Sequence, residues 1–127
     1  MHTPDNITKL GADEIFVFGS NEAGRHGRGA ALTAAKKFGA RYGQGDGLQG
    51  QSYGISTKDK SLRILSLDQI AIKINRFIKF ATENPKFKFF VTEIGCGLAG
   101  YKVKEIASLF NKNVIPNNVI LPERFCK

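Results

Sequence analysis

Of this chain's fourteen glycines, all but Gly11 fall in two stretches, and each stretch joins an apolar strand to a helix. The first runs from Gly19 to Gly54 and opens IFVFGSNEAGRHGRGAA; the second, FFVTEIGCGLAG, holds Gly95, Gly97 and Gly100. Glycine admits positive φ and lets backbone amides approach a ligand closely. A helix that begins just beyond such a loop offers unpaired N–H groups and a partial positive charge, which together favour phosphate. Two such loops in 127 residues point to a cradle for a nucleotide-like diphosphate.

The segments around the loops read as alternating strands and helices. Ile15-Phe16-Val17-Phe18 is a buried strand closed by Gly19, and Arg28 to Phe38 is a helix with Gly39 at its C-terminal cap. The segment 39–50, GARYGQGDGLQG, is too rich in glycine for regular structure and reads as a loop. SYGIST, residues 52–57, is a short strand. Ser66 and Gln69 form a capping box for a helix to about Glu83, with Ile70, Ile74, Phe77, Ile78 and Ala81 on its buried stripe. Lys88 to Ile94 is a strand, Lys102 to Phe110 a helix, and Val119 to Pro122 a last short strand. This alternation predicts one α/β domain over residues 1–127, a three-layer helix–sheet–helix sandwich with a mixed, mostly parallel sheet. In such folds ligands bind beyond the carboxyl ends of the strands, where both glycine loops lie.

Composition narrows the function. No apolar run is long enough to span a bilayer and the first residues lack a signal-peptide pattern, so a cytoplasmic protein without a membrane partner is expected. The two cysteines, Cys96 and Cys126, have neither disulfide-framework nor metal spacing, and no metal and no cofactor are expected. Cys96 is expected to be a small buried residue. The net charge of +8 attracts anions, yet the basic residues are scattered; Phe77, Phe80, Phe87, Phe89 and Phe90 read as core and not as a base-stacking platform. Gly24-Arg25-His26-Gly27-Arg28-Gly29 has the wrong spacing for the dinucleotide fingerprint, and no Gly-Lys-Ser/Thr P-loop occurs.

Three motifs in order carry a resemblance: Asn21-x-x-Gly24-x-x-Gly27-x-Gly29-x-Ala31 before a helix, Tyr53-Gly54-Ile55-Ser56-Thr57-Lys58 on a strand, and Ile94-Gly95-Cys96-Gly97-Leu98 before a helix. Over residues 15–121 the chain resembles the macrodomain superfamily, most closely its compact branch with terminal ADP-ribose protein glycohydrolase and the DNA ADP-ribosyl glycohydrolase antitoxin. The resemblance implies an ADP-ribose pocket. Asn21 and the Gly27–Gly29 backbone would hold the distal ribose and phosphates, and Gly95, Gly97 and Leu98 would wrap the diphosphate. Gly19, Ser20, Cys96, Ala99 and Gly100 complete the expected binding set. Lys58 falls at the position of the lysine that attacks the anomeric carbon.

One position departs from that pattern. The glycohydrolase carries an acid directly after Gly-Cys-Gly-Leu, and this chain has Ala99; Asp46, Asp59 and Glu93 are the candidate replacements. Each residue also has a plainer reading: Lys58 as a surface residue at a strand end, Asn21 as a turn stabiliser, and Arg25 and His26 either on phosphate or in a solvated loop. Tyr42, Tyr53 and Tyr101 are candidates for stacking on a base or ribose. The expected function is binding of ADP-ribose or a related nucleotide, with hydrolysis of ADP-ribose from protein or nucleic acid by Lys58. The alternatives are a non-catalytic reader of a nucleotide signal and a basic nucleic-acid-binding protein.

Overall fold

The structure, a computed structural model, describes residues 1–97 and 99–126. Five strands form one sheet: β1 (Glu14–Asn21), β2 (Gly47–Gln49), β3 (Ser52–Lys58), β4 (Lys88–Val91) and β5 (Val119–Ile120). They lie in the order β2-β3-β1-β4-β5. β1 pairs parallel with both β3 and β4, β4 pairs parallel with β5, and only the edge strand β2 is antiparallel. The expected mixed, mostly parallel sheet is present.

The central strand explains the layering. Side chains alternate across a strand, and over residues 15–18 of β1 both sets are apolar and buried. Ile15 and Val17 join the larger core, with helices α2 (Leu67–Glu83) and α3 (Val103–Asn111) and the C-terminal 3-10 turn Glu123–Cys126. Phe16 and Phe18 face the other way, onto helix α1 (Gly29–Lys37) through Ala31, Ala34 and Phe38. Phe77, Phe89 and Phe110 are fully buried in the larger core. Each large apolar side chain sealed there contributes roughly 1.5–3 kcal/mol.

The α2 helix matches its sequence signature. Ser66 Oγ accepts from the Gln69 amide at 3.2 Å while Gln69 Oε1 accepts from the Ser66 amide at 2.9 Å. Its buried residues are Ile70, Ile74, Phe77, Ile78 and Ala81. Gly39, at φ 77°, directly follows Phe38, the C-cap residue of α1, as a cap glycine should.

Three expectations are corrected. β1 does not stop at Gly19 but continues to Asn21, because β3 pairs with it that far. β4 ends at Val91 rather than Ile94, since Thr92 turns away and ties both its amide and its hydroxyl to the Val17 carbonyl. The 39–50 loop contains a strand, β2, anchored by the buried Gln49 side chain, whose Oε1 accepts from the Arg41 amide at 2.7 Å.

Candidate functional site

A cleft of about 550 Å³ opens at the carboxyl ends of β1, β3 and β4. Gly19, Ser20 and Asn21 of β1 line it, with Thr57 and Lys58 from β3 and the segment 92–95 that follows β4. Residues 27–31, the loop end and first turn of α1, lie over it. Parallel strands feeding loops at one edge of a sheet create such a crevice wherever neighbouring connections leave in opposite directions. Here β1 leads to α1 on one face, while β3 leads to α2 on the other.

The α1 N-terminus opens onto the cleft without a side-chain cap. Its N-cap, Arg28, makes no side-chain cap and the first turn holds no acid. The first amides of a helix have no partner within the helix, and here Gly29, Ala30 and Ala31, which carry them, all line the cleft. Gly29 sits at φ 58°, a conformation glycine adopts readily. A Cβ on Gly27 or Gly29 would meet nothing within 4 Å, so the backbone at both lies open to a ligand.

The second glycine loop differs from expectation. α3 begins only at Val103, and Glu105 closes its N-terminus by accepting from the Lys102 amide at 2.9 Å. Within the loop, Cys96, Gly100 and Tyr101 donate to the carbonyls of Glu93, Gly97 and Gly95. The amides of Gly95 and Gly97 have no internal partner among the described residues, and both glycines line the cleft with Ala99. Cys96 and Gly100 are not in its lining, and Leu98 lies outside the described residues.

Charge in the cleft is unevenly matched. Arg25, Arg28 and Lys58 line it, and none has a side-chain hydrogen bond or ion pair among the described residues. The carboxylate in the lining is Glu93, and Arg124 grips it in a fork, with Nε donating to Oε2 at 2.7 Å and a second bond to Oε1. That hydrogen-bonded guanidinium holds the Glu93 carboxyl below its ordinary range. Unpaired cations beside open backbone amides give this part of the cleft a positive potential. Among the described residues no group of acidic, histidine and cysteine side chains is arranged to hold a metal.

Several candidates serve the scaffold. Asn21 spends its side chain on Arg25: Nδ2 donates to the Arg25 carbonyl and Oδ1 accepts from its amide, each at 2.9 Å. That ring shapes the loop carrying Arg25. His26 is fully buried, and its Nε2 donates towards the carbonyls of Arg41 and Gln44 at 2.8 and 3.0 Å. It therefore holds the 41–44 loop, facing neither a phosphate nor solvent. Asp46 accepts from the Ser56 amide and hydroxyl and from Lys73. Asp59 Oδ1 closes its own turn with the Ser61 and Arg63 amides. Of the three acidic candidates, Glu93 alone lines the cleft.

Tyr53 packs in the core, Tyr101 donates to the Leu65 carbonyl at 2.6 Å, and the exposed Tyr42 lies against His26; none lines the cleft. Ala99 is 6% exposed, an apolar methyl where the resembled pattern has a carboxylate. Burial raises the Cys96 thiol to about 11, aided by nearby Glu93, which removes it as a nucleophile at neutral pH. Sequence reasoning missed Leu62, which lines the cleft from the turn after β3 at φ 64°. Nothing in its local sequence marks that position.

No protein-family profile, curated protein or solved structure matches the chain. Among the described residues no helix is long and apolar enough to cross a membrane.

Proposed function

We propose that the protein has a macrodomain-like fold and that its cleft binds ADP-ribose or a closely related nucleotide. The observation that carries this reading is the uncapped α1 N-terminus, open to the same cleft as Arg25, Arg28 and Lys58. Such an arrangement suits a diphosphate. The volume, about 550 Å³, falls in the usual range for small-ligand sites. Titration calorimetry with ADP-ribose is expected to give saturable heat. Absence of heat and of any thermal shift at millimolar ligand overturns the reading.

Within it, Lys58 is the nucleophile for removal of ADP-ribose from modified protein or nucleic acid. Its amine attacks the anomeric carbon, the bond to the acceptor breaks, and the acceptor departs with a proton. Water then releases ADP-ribose and restores the amine. The resembled pattern supplies this role, and the unpaired Lys58 side chain at the cleft wall is compatible with it. Lys58→Ala is expected to abolish release of ADP-ribose from modified DNA or protein; release at the parental rate removes Lys58 from the mechanism.

Ala99 favours a second reading, a non-catalytic reader of the nucleotide. General acid–base assistance contributes on the order of 10²–10⁴-fold, and the acid at that position is missing. Tight ADP-ribose binding with no turnover, and turnover gained in Ala99→Asp, is the outcome expected of a reader.

A further inference from the structure

Glu93 and Arg124 form an ion pair at the edge of the cleft. Glu93 follows β4 and lines the cleft, whereas Arg124 belongs to the C-terminal 3-10 turn and is not in the lining. The guanidinium therefore grips the carboxylate from outside. A fork of two N–H donors fixes the plane of the carboxylate. An ionised carboxylate offers about four acceptor sites, so two remain for a partner.

A bare carboxylate in a cleft built for anions would repel the ligand. Arg124 offsets that charge while leaving acceptor capacity in place. Inorganic diphosphate meets those acceptors chiefly with negatively charged oxygens, which a carboxylate repels, whereas a sugar offers adjacent neutral hydroxyl donors. We infer that Glu93 is the specificity-determining residue of the cleft, accepting hydrogen bonds from a ligand's vicinal hydroxyl groups, and that Arg124 is its positioning residue. The ligand class is then a sugar-bearing diphosphate and not a polyphosphate as such. Placement agrees with this: Glu93, on the segment that follows β4, lines the same cleft as Lys58 at the end of β3 and the first turn of α1. The depressed carboxyl range of Glu93 keeps it an acceptor throughout neutral pH.

This inference rests on the nucleotide-binding reading, and the experiment separates the two. The parent chain, Glu93→Gln and Arg124→Gln are titrated with ADP-ribose and, separately, with inorganic pyrophosphate. Hydrogen bonds to a charged acceptor are the stronger kind, so Glu93→Gln is expected to weaken ADP-ribose binding roughly tenfold or more. Pyrophosphate affinity should stay level or rise as a negative charge is removed. Arg124→Gln frees the carboxylate, so pyrophosphate should bind more weakly. ADP-ribose affinity in that variant should fall as pH drops through the ordinary carboxyl range, a dependence absent from the parent there.

Equal losses of both ligands in Glu93→Gln, or no loss of ADP-ribose, overturn the inference and leave nucleotide binding intact. A parent protein that binds pyrophosphate but not ADP-ribose overturns both. Matching melting temperatures show that the variants are folded, and Arg124→Gln tests the pair even where Glu93→Gln is unstable.

Discussion

The carbonyl oxygen of Gly45 lies 2.2 Å from where a Cβ on Gly54 would stand, and a Cβ on Gly45 would in turn meet the Asn21 carbonyl oxygen at 2.0 Å. These backbones are stacked with no room for a side chain, which seats the 39–50 loop on β3 and on the end of β1. Gly54→Ala should therefore destabilise the fold by about 2–4 kcal/mol, since backbone must move to admit the methyl. Gly27→Ala, with open space around it, should change stability by less than about 1 kcal/mol while weakening nucleotide binding. Urea unfolding of the two variants, with calorimetry on the second, checks both statements; equal stability losses would refute the division.

Lys73 joins three distant segments, donating to Glu22 and to Asp46 at 3.1 Å each from α2. Its side chain is only 14% exposed. Lys73→Met should cost about 1–3 kcal/mol, because two carboxylates then share a half-buried site without their cation. The double variant Lys73→Met with Asp46→Asn should lose less than the sum of the single changes, and denaturant melts of all three provide the cycle.

Leu62 holds a backbone conformation that costs a leucine about 1–2 kcal/mol. It is 43% exposed, so little packing is lost on replacement. Leu62→Asn should raise stability by about 0.5–1 kcal/mol and lower ADP-ribose affinity, since Asn tolerates this region but removes an apolar wall of the cleft. A thermal melt and a titration on the same sample would expose either failure.

Burial pushes the Tyr53 hydroxyl up to about 12, with Asp46 adding to the effect and Arg76 opposing it. The unfolded chain titrates near 10, so between pH 10 and 12 the folded state binds more protons than the unfolded one. Stability is fully present below pH 10 and is lost as pH rises through that window. Tyr53→Phe should show a shallower loss there, measured by urea unfolding at pH 9 and at pH 11.

Cys96 should resist alkylation at pH 8, where about one thiol in a thousand is ionised, a consequence of its pKa of about 11. Cys126, exposed near the C-terminus, should be labelled first. Mass spectrometry of the partly alkylated chain reads the order, and labelling of Cys96 ahead of Cys126 contradicts the burial argument.

Much of the fold was legible because each level of the sequence agrees. The α2 helix announces its start through Ser66 and Gln69 and its inner face through five spaced apolar residues, and the structure keeps both. The glycines were legible as a group but not by role. Gly27 and Gly29 open onto the cleft, whereas Gly45 and Gly54 allow backbone to pack on backbone, and only tertiary contacts distinguish the two uses. Glu93 was one of three acidic candidates until the fold set Asp46 on Ser56 and Asp59 in its own turn. For His26 the sequence allows a phosphate contact or a solvated loop, and the residue is buried instead; sequence cannot reveal that its partners are carbonyls fifteen and eighteen residues away.

β1 is core on both faces through Phe18 and then becomes the floor of the cleft through Gly19, Ser20 and Asn21. The floor is thus the continuation of a strand packed on both faces, and Ser20 within it is itself buried. Arg25, Arg28 and Leu62, exposed at the rim, can be exchanged without disturbing that strand, so the character of the cleft wall is separable from the stability of its floor.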